Sequence, residues 1–304
     1  MLRSYRKSPR RIPVRSIRYK VCYSKKAKES GRKQGMLISF DYAIKFLLKN
    51  KEDFYVVEDF ISSLLELVGY SKIKILAVKD PENQKSLSAT KVTIPDLLVE
   101  DETGKHYLIE IERNPFSDAA YKAHYNTSYA TVHDFLDQGD AFSKVNKVIH
   151  ISILYDAYGN VNDYLYHGKL QTRGLTNHQN LMIQKNIAGK KHNTLEDFPE
   201  YFFVFPENFH KSFKSKFDEW MHMLKTGEMR QEALKKYQDL KKVEKRLDYL
   251  NLNDEQKREF DKLRADRAKE SCKLKDAEEK GHREGEEKGR KEGRREGEEK
   301  GRKE

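Results

Sequence analysis

The stretch TIPDLLVEDETGKHYLIEIER, residues 93–113, decides the fold of this chain. Two apolar runs, residues 92–100 and 106–112, flank the segment DETGK, residues 101–105, which carries a glycine. Apolar runs joined by a short turn with glycine are typical of a β-hairpin. The stretch therefore predicts two antiparallel strands.

Three acidic residues interrupt these apolar runs. Asp96 follows a proline in the first run, and Glu110 and Glu112 stand two positions apart in the second. Because side chains alternate between the two faces of a strand, Ile109 and Ile111 face one side and both glutamates face the other. Pairing of the strands would bring Asp96 near Glu110. An alternative is that the glutamates simply line the wet face of an antiparallel sheet.

Carboxylates that lie close together repel one another unless a cation or a proton lies between them. A group of hard oxygen ligands with room for water suits Mg²⁺ or Mn²⁺. Such an ion polarises a phosphate group, which hydrolysis of a phosphodiester bond requires. The acidic pattern therefore makes a metal-dependent phosphodiesterase site one interpretation of the hairpin.

The segments around the hairpin predict an α/β core with a mixed sheet. Helices are predicted over residues 37–50, 53–70, 118–139 and 213–228, with the second ending at Gly69. Further strands are predicted over residues 72–80, 146–156, 161–170 and 200–206. The apolar strand at residues 146–156 is expected to be buried on both faces.

The C-terminal part of the chain is strongly charged. Residues 228–275 favour helix, and from Gly281 a glycine recurs at every fourth position to Gly301. Each glycine costs a helix about 1 kcal/mol relative to alanine. We expect a solvated extension that is partly helical or disordered, and the alternative is a helix through which the chain forms a homo-oligomer.

The net charge of +11 comes from the N-terminus. Residues 1–36 hold 13 Lys or Arg and one acid, whereas residues 37–275 hold 37 bases and 37 acids. Such an arm is expected to be disordered, and it either binds nucleic acid or acts as a solubilising leader. An organellar transit peptide is a further alternative, although its prolines would break an amphipathic helix.

Several classes of protein are disfavoured by composition. No apolar run reaches the length of about 18 residues that a membrane helix needs. The two cysteines, Cys22 and Cys272, predict neither a disulfide framework nor a metal site, and the histidines lack zinc-site spacing. Phosphate-binding glycine loops and the serine-hydrolase elbow are not found in the sequence. We therefore expect a cytoplasmic protein without a membrane anchor.

The order of Pro95-Asp96 and then Glu110-x-Glu112 resembles the PD-(D/E)XK nuclease superfamily. More closely, the chain is similar to the PD-(D/E)XK nuclease family transposases, also called the recombination-promoting nuclease family. The similarity spans residues 37–304, and further matching stretches are FDYAIKFLLKNKEDFYVVEDFISSLL, KVIHISILYDAYGNVNDYLYHG, FPEYFFVF, FDEWMHMLKTGEM and the C-terminal repeat. It implies a restriction-endonuclease-like core over residues 37–227 and a helical, low-complexity extension over residues 228–304.

The resemblance also implies roles for individual residues. Asp96 and Glu110 would hold Mg²⁺ or Mn²⁺, and Glu58 would be the acid that the first core helix often supplies. Glu112 occupies the third motif position, where the superfamily has lysine and this subfamily usually glutamine. Glutamate there would act as an extra metal ligand or a base, or would mark an impaired enzyme. Lys122 is the preferred source of the missing positive charge, ahead of Arg113, which should face the other side of its strand.

A basic and aromatic patch on the helix after the motif is the predicted DNA contact. Lys122, His124 and Tyr125 could bind backbone phosphate or stack on a base, although an ordinary polar helix surface is the alternative. The predicted activity is metal-dependent DNA cleavage in recombination or transposition. The rival interpretation is a nuclease fold that has lost catalysis and serves as a DNA-binding or protein-interaction module.

Overall fold

The computed structural model describes most of the residues after the basic arm. The described residues are 37, 39–43, 54–79, 95–112, 118–133, 139, 141–142, 145–155, 161–187, 189–210, 212–248 and 251–300. The arm predicted over residues 1–36 and much of the helix predicted over residues 37–50 lie outside them.

Eight strands form two sheets in the described part of the chain. They are β1 (Ile75–Val78), β2 (Leu97–Asp101), β3 (His106–Glu112), β4 (Val148–Leu154), β5 (Leu165–Lys169), β6 (Gln184–Ile187), β7 (Lys190–Asn193) and β8 (Glu200–Val204). The larger sheet has the order β1-β2-β3-β4-β8-β5. β3, β4 and β8 run parallel, and the remaining neighbours pair antiparallel. A separate β6–β7 hairpin was not predicted from the sequence.

Helices flank this mixed sheet, which confirms the predicted α/β class. The helices are α1 (Phe40–Tyr42), α2 (Tyr55–Leu65), α3 (Ala119–His133), α4 (Lys216–Thr226), α5 (Gln231–Lys236), α6 (Gln238–Leu247) and α7 (Asp254–Lys300). A short 3₁₀ turn continues α2 and ends at Gly69, whose φ of 85° is the left-handed conformation expected of a glycine cap.

The main hydrophobic core lies between one face of the sheet and α2, α4 and α6. Phe60 of α2 and Trp220 of α4 are fully buried there, with ring centroids 5.4 Å apart. Asp59 is also buried, and its carboxylate accepts hydrogen bonds from Trp220 Nε1 at 2.8 Å and Lys216 Nζ at 2.7 Å. The buried Asp59 carboxylate is thus paired, as burial requires.

The other face of the sheet is covered by α3. Ala130 of α3 packs against Leu98, Leu108 and Val148 from three neighbouring strands. Because both faces are covered, all seven residues of β4 are buried, as the apolar run predicted. Strand alternation then directs every second residue of β3 and β4 toward α3.

The turn between β2 and β3 is organised by the buried Asp101. Its Oδ1 accepts hydrogen bonds from Thr103 N at 2.8 Å and Lys105 N at 3.1 Å, and its Oδ2 accepts one from Tyr107 Oη at 2.7 Å. Gly104 has a φ of 80°, which favours glycine. The predicted hairpin and its glycine turn are confirmed, and Asp101 fixes the pairing at this end.

The C-terminal helices start within the main core. Leu240, Val243 and Leu247 of α6 are fully buried in it, and Tyr42 Oη donates a hydrogen bond to the Gln256 carbonyl at 2.6 Å. Further along α7 the described residues are exposed, including Gly281, Gly285, Gly289 and Gly293. Of the helices described, none is both long and apolar enough to cross a membrane.

Candidate active site

The candidate site lies at the end of β3, where the hairpin pairing brings two carboxylates together. Leu97 pairs with Ile109, so Asp96 lies beside Glu110 one step further along the antiparallel ladder. Asp96 Oδ2 accepts a hydrogen bond from the Ile111 backbone N–H at 2.8 Å. This bond fixes the Asp96 carboxylate against β3.

Glu110 is a buried carboxylate that accepts hydrogen bonds from side chains of α3. Only 3% of the residue is exposed. Its Oε1 accepts a hydrogen bond from Asn126 Nδ2 at 2.7 Å, and its Oε2 accepts one from Lys122 Nζ at 2.8 Å. The burial of Glu110 excludes it from the wet face of a sheet, which was the alternative interpretation of the acidic pattern.

Lys122 joins the two glutamates of β3. Its Nζ donates to Glu110 Oε2 at 2.8 Å and to Glu112 Oε1 at 2.5 Å. Burial lowers the pKa of Lys122, but the hydrogen bonds and charges of the two glutamates outweigh this and raise it to about 12. The ammonium group therefore stays charged at neutral pH.

The single lysine does not fully compensate the carboxylates around Glu110. Burial raises the pKa of Glu110 to about 7; Lys122 opposes the shift, whereas the charges of Asp96 and Glu112 add to it. A further positive charge would favour the ionised form of a carboxyl group whose pKa is near 7. The site thus has the electrostatic character of a cation-binding site.

Glu58 is not brought into this cluster. Its Oε1 accepts a hydrogen bond from the Ile75 backbone N–H at 2.8 Å. Ile75 pairs with Asp101 at the opposite end of β2 from Asp96. Five residues of strand span roughly 16 Å at about 3.3 Å per residue. Because its carboxylate caps the start of β1, this geometry gives no support to the metal-ligand role expected for Glu58.

Two of the three predicted DNA-contacting residues, His124 and Tyr125, lie on the outer side of α3. His124 is exposed, and Tyr125 is 36% exposed with its ring stacked on Tyr129 at a centroid distance of 6.3 Å. Lys122, in contrast, turns inward to Glu110. Arg113, the other cation considered from the sequence, lies outside the described residues.

Three polar residues near Glu110 were missed by the sequence analysis. Asn126 follows Lys122 by one helical turn, and that spacing could have identified it. Ser152 of β4 is the register partner of Glu110, and its hydroxyl lies 3.3 Å from His150 Nδ1. The signal for this pair was a polar residue at every second position of an otherwise apolar strand.

His150 is nearly inaccessible to water, with 1% exposed. Burial and, to a smaller extent, the charge of Lys122 lower its pKa to about 3, so the ring is neutral at physiological pH. Among the described residues, its Nε2 finds no hydrogen-bond partner. The layer between α3 and the sheet is therefore polar where it lies beneath Lys122.

A divalent metal ion fits this donor set. Asp96 and Glu110 are neighbouring carboxylates whose mutual repulsion a cation would relieve. Within the described ranges, no group of three or more His, Cys, Asp or Glu side chains is arranged to hold a metal. Mg²⁺ commonly binds through one or two carboxylates and completes its shell with water and substrate phosphate, so two ligands suffice.

A six-stranded mixed sheet flanked by helices, with Asp96 just before β2 and Glu110 on β3, agrees with a PD-(D/E)XK nuclease-like fold. The chain belongs to the PD-(D/E)XK nuclease family transposases, whose family model matches residues 38–275. Comparison with curated proteins found no match, and comparison with solved structures found none either.

Proposed function

We propose that this protein is a metal-dependent DNA endonuclease that hydrolyses phosphodiester bonds in recombination or transposition. Membership of the family supports nuclease activity in general terms. The observation that carries the finer proposal is the buried Glu110, with Asp96 beside it and Lys122 Nζ 2.8 Å away. A carboxylate pair with one cation provides the charges that phosphoryl chemistry uses.

Asp96 and Glu110 would hold the metal ion, which is Mg²⁺ or Mn²⁺ in this proposal. A bound ion of this kind supplies a Lewis acid that polarises a phosphate oxygen and lowers the pKa of water. Asn126 holds Glu110 Oε1, and the Ile111 N–H holds Asp96 Oδ2, so both carboxylates keep their orientation without the ion.

Lys122 would stabilise negative charge on the phosphate. Its ammonium group stays protonated at neutral pH and is 26% exposed on its side chain, so it is accessible from solvent. Glu112 orients it through their short hydrogen bond. The lysine expected at the third motif position of the superfamily would thus come from α3, while the strand position carries Glu112.

The decisive experiment is cleavage of supercoiled plasmid by the full chain with Mg²⁺ or Mn²⁺ and with EDTA. We expect metal-dependent nicking that Asp96→Ala abolishes. Glu102→Ala, an exposed acid in the turn of the same hairpin, is the matched control and should cleave like the wild type. Nicking by Asp96→Ala at the wild-type rate would refute the assignment of the site.

A second candidate is a nuclease fold without catalysis that serves as a DNA-binding or protein-interaction module. The observation that favours it is the pairing of Lys122 with two glutamates, because Glu112 adds negative charge beside the phosphate position. Thermal unfolding separates the two functions. A metal-binding enzyme gains Tm with Mg²⁺, whereas a module without a metal site gains none and still binds DNA with a steep salt dependence.

A further inference from the structure

The outer surface of α3 carries a stripe of tyrosines, Tyr121, Tyr125 and Tyr129, spaced four residues apart. Tyr121 is 77% exposed and Tyr125 is 36% exposed. Core tyrosines of this protein behave differently, since Tyr42 and Tyr107 are fully buried. A large aromatic ring left in water beside a site indicates a surface for a partner.

The tyrosine stripe begins beside Lys122 on the surface of α3 and turns away from the sheet. Each residue turns a helix by about 100°, so Tyr129, Tyr125 and Tyr121 lie about 20°, 60° and 100° around the helix from Lys122. Asn126 lies about 40° away in the opposite direction, toward the sheet. A strand that contacts Lys122 through a phosphate and runs along α3 on its solvent side would therefore pass over the tyrosines.

The chemistry of the stripe favours bases over phosphates. Lys122 is the only Lys or Arg in α3, and its ammonium group is directed at Glu110 and Glu112. A surface that follows the phosphate backbone is normally rich in Lys and Arg. Tyr125 and Tyr129 already stack on each other, and a base of a single strand can stack on the exposed part of such rings.

We propose that the tyrosine stripe stacks unpaired bases next to the scissile phosphate, so that the preferred substrate is DNA with a single-stranded stretch at the cleavage position. Bases in a duplex already stack on their neighbours, and their faces are inaccessible to Tyr121 and Tyr125. The inference rests on the proposed nuclease function and specifies its substrate class. Flaps, bubbles and single strands share the required chemistry.

The binding test uses fluorescein-labelled 20-nucleotide single-stranded DNA and the matching duplex, with the full chain in EDTA. Tyr121→Ala and Tyr125→Ala should each weaken single-strand binding on the order of tenfold, since one stacking contact is lost. Tyr121→Phe and Tyr125→Phe keep the ring and should bind within about twofold of the wild type. Phe142→Ala is the matched control, because Phe142 is 87% exposed but precedes β4 at the far end of the sheet.

Three results would overturn the inference. One is single-strand binding by both alanine variants at the wild-type level. Another is an equal loss for single strand and duplex, and the third is a loss in the phenylalanine variants as large as in the alanine variants, which would assign the contact to the hydroxyls. Thermal unfolding of each variant checks that it is folded.

A cleavage assay tests this inference separately from the proposed function. A duplex with a 20-nucleotide flap is expected to be cut near the junction faster than the plain duplex, in Mg²⁺ or Mn²⁺. If the wild type cuts neither DNA but the ring-dependent binding persists, the proposed nuclease function fails and the stacking surface stands. If it cuts both at equal rates, the substrate preference fails and the nuclease function stands.

Discussion

Two buried lysine–glutamate pairs lie at opposite ends of the central sheet. Lys122 meets Glu110 at 2.8 Å at the end of β3, and Lys147 meets Glu200 at 2.6 Å where β4 and β8 begin. Both glutamates are 3% exposed. The two glutamates are equally buried and each contacts one lysine, yet the shifts of their pKa values are opposite.

The difference lies in the partners of each carboxylate. Burial alone would raise the pKa of Glu200, but hydrogen bonds from Lys147, Tyr70 and His167 outweigh it and lower the pKa. Around Glu110, further carboxylates add to the effect of burial and its pKa rises to about 7. Removing one partner of a satisfied buried pair destabilises a fold, whereas a pair with excess negative charge is suited to binding a cation.

The largest expected effect concerns the satisfied pair. Glu200→Ala leaves Lys147 buried without its counter-ion, so the free energy of unfolding should fall by about 3–5 kcal/mol in urea titrations. Replacing both residues by Lys147→Met and Glu200→Leu should recover most of that loss. Nicking per folded molecule should be unchanged in either protein. A loss of nicking without a loss of stability would reverse the roles of the two pairs.

The pH dependence of stability should have opposite signs at the two ends. Because the pKa of Glu110 is raised, its protonated form favours the folded state. This contribution to stability is complete below about pH 4.5 and is lost as the pH rises through about 7. In EDTA, the stability of the wild type relative to Glu110→Gln should therefore fall by about 3 kcal/mol between pH 4.5 and pH 8. Urea unfolding at both pH values measures this difference.

Glu200 provides the internal comparison for that measurement. Its pKa is lowered, so its contribution is present above about pH 4.5 and is lost as the pH falls through the lower folded value. The stability of the wild type relative to Glu200→Gln should accordingly fall on acidification below pH 4.5. Parallel pH profiles for the two glutamine variants would contradict the distinction between the pairs.

Substitution of each lysine by methionine compares the two pairs by their effect on the nicking rate. Lys122→Met removes the cation beside the phosphate position and should slow nicking on the order of 100-fold. Lys147→Met removes the more deeply buried lysine at the other end and should cost stability with no loss of nicking below its Tm. Single-turnover rates for both variants decide the matter, and equal rates would place Lys122 among structural residues.

The smallest expected effect is that of Glu112→Gln. The change removes one negative charge near the phosphate and keeps an oxygen that can accept from Lys122. Nicking should rise a few-fold, because the net charge around Glu110 becomes more favourable. A tenfold fall in the rate would instead identify Glu112 as a base or a metal ligand.

Local patterns predicted much of the fold and half of the site. The hairpin, the doubly buried β4 and the helix with Trp220 follow from periodicity and turn chemistry. Strand alternation and the hairpin together predicted that Asp96 lies near Glu110. These features depend on residues close in sequence, which is why the pattern contains them.

Other features depend on how distant segments pack. The β6–β7 hairpin has mostly polar side chains, so it carries no apolar alternation to reveal it. Glu58 lies on a predicted helix, but the pairing of Ile75 with Asp101 is needed to place its carboxylate at the end of β2 away from Asp96. Asn126 reaches Glu110 only because α3 docks on the sheet in one particular rotation.

The turn fixed by Asp101 bears on the order in which the site forms during folding. Asp96 and Glu110 are 14 positions apart, so closing their hairpin costs little chain entropy, and hairpins form in about 1–10 μs. Lys122 arrives only when α3 docks. The Ile111 N–H donates a hydrogen bond to Asp96, and we expect this amide to gain protection in pulsed hydrogen exchange before the α3 amides. Protection of the α3 amides first would disprove this order of folding. Until α3 docks, the two carboxylates repel one another across the hairpin, so the charge pattern that serves the site also draws the lysine-bearing helix to it.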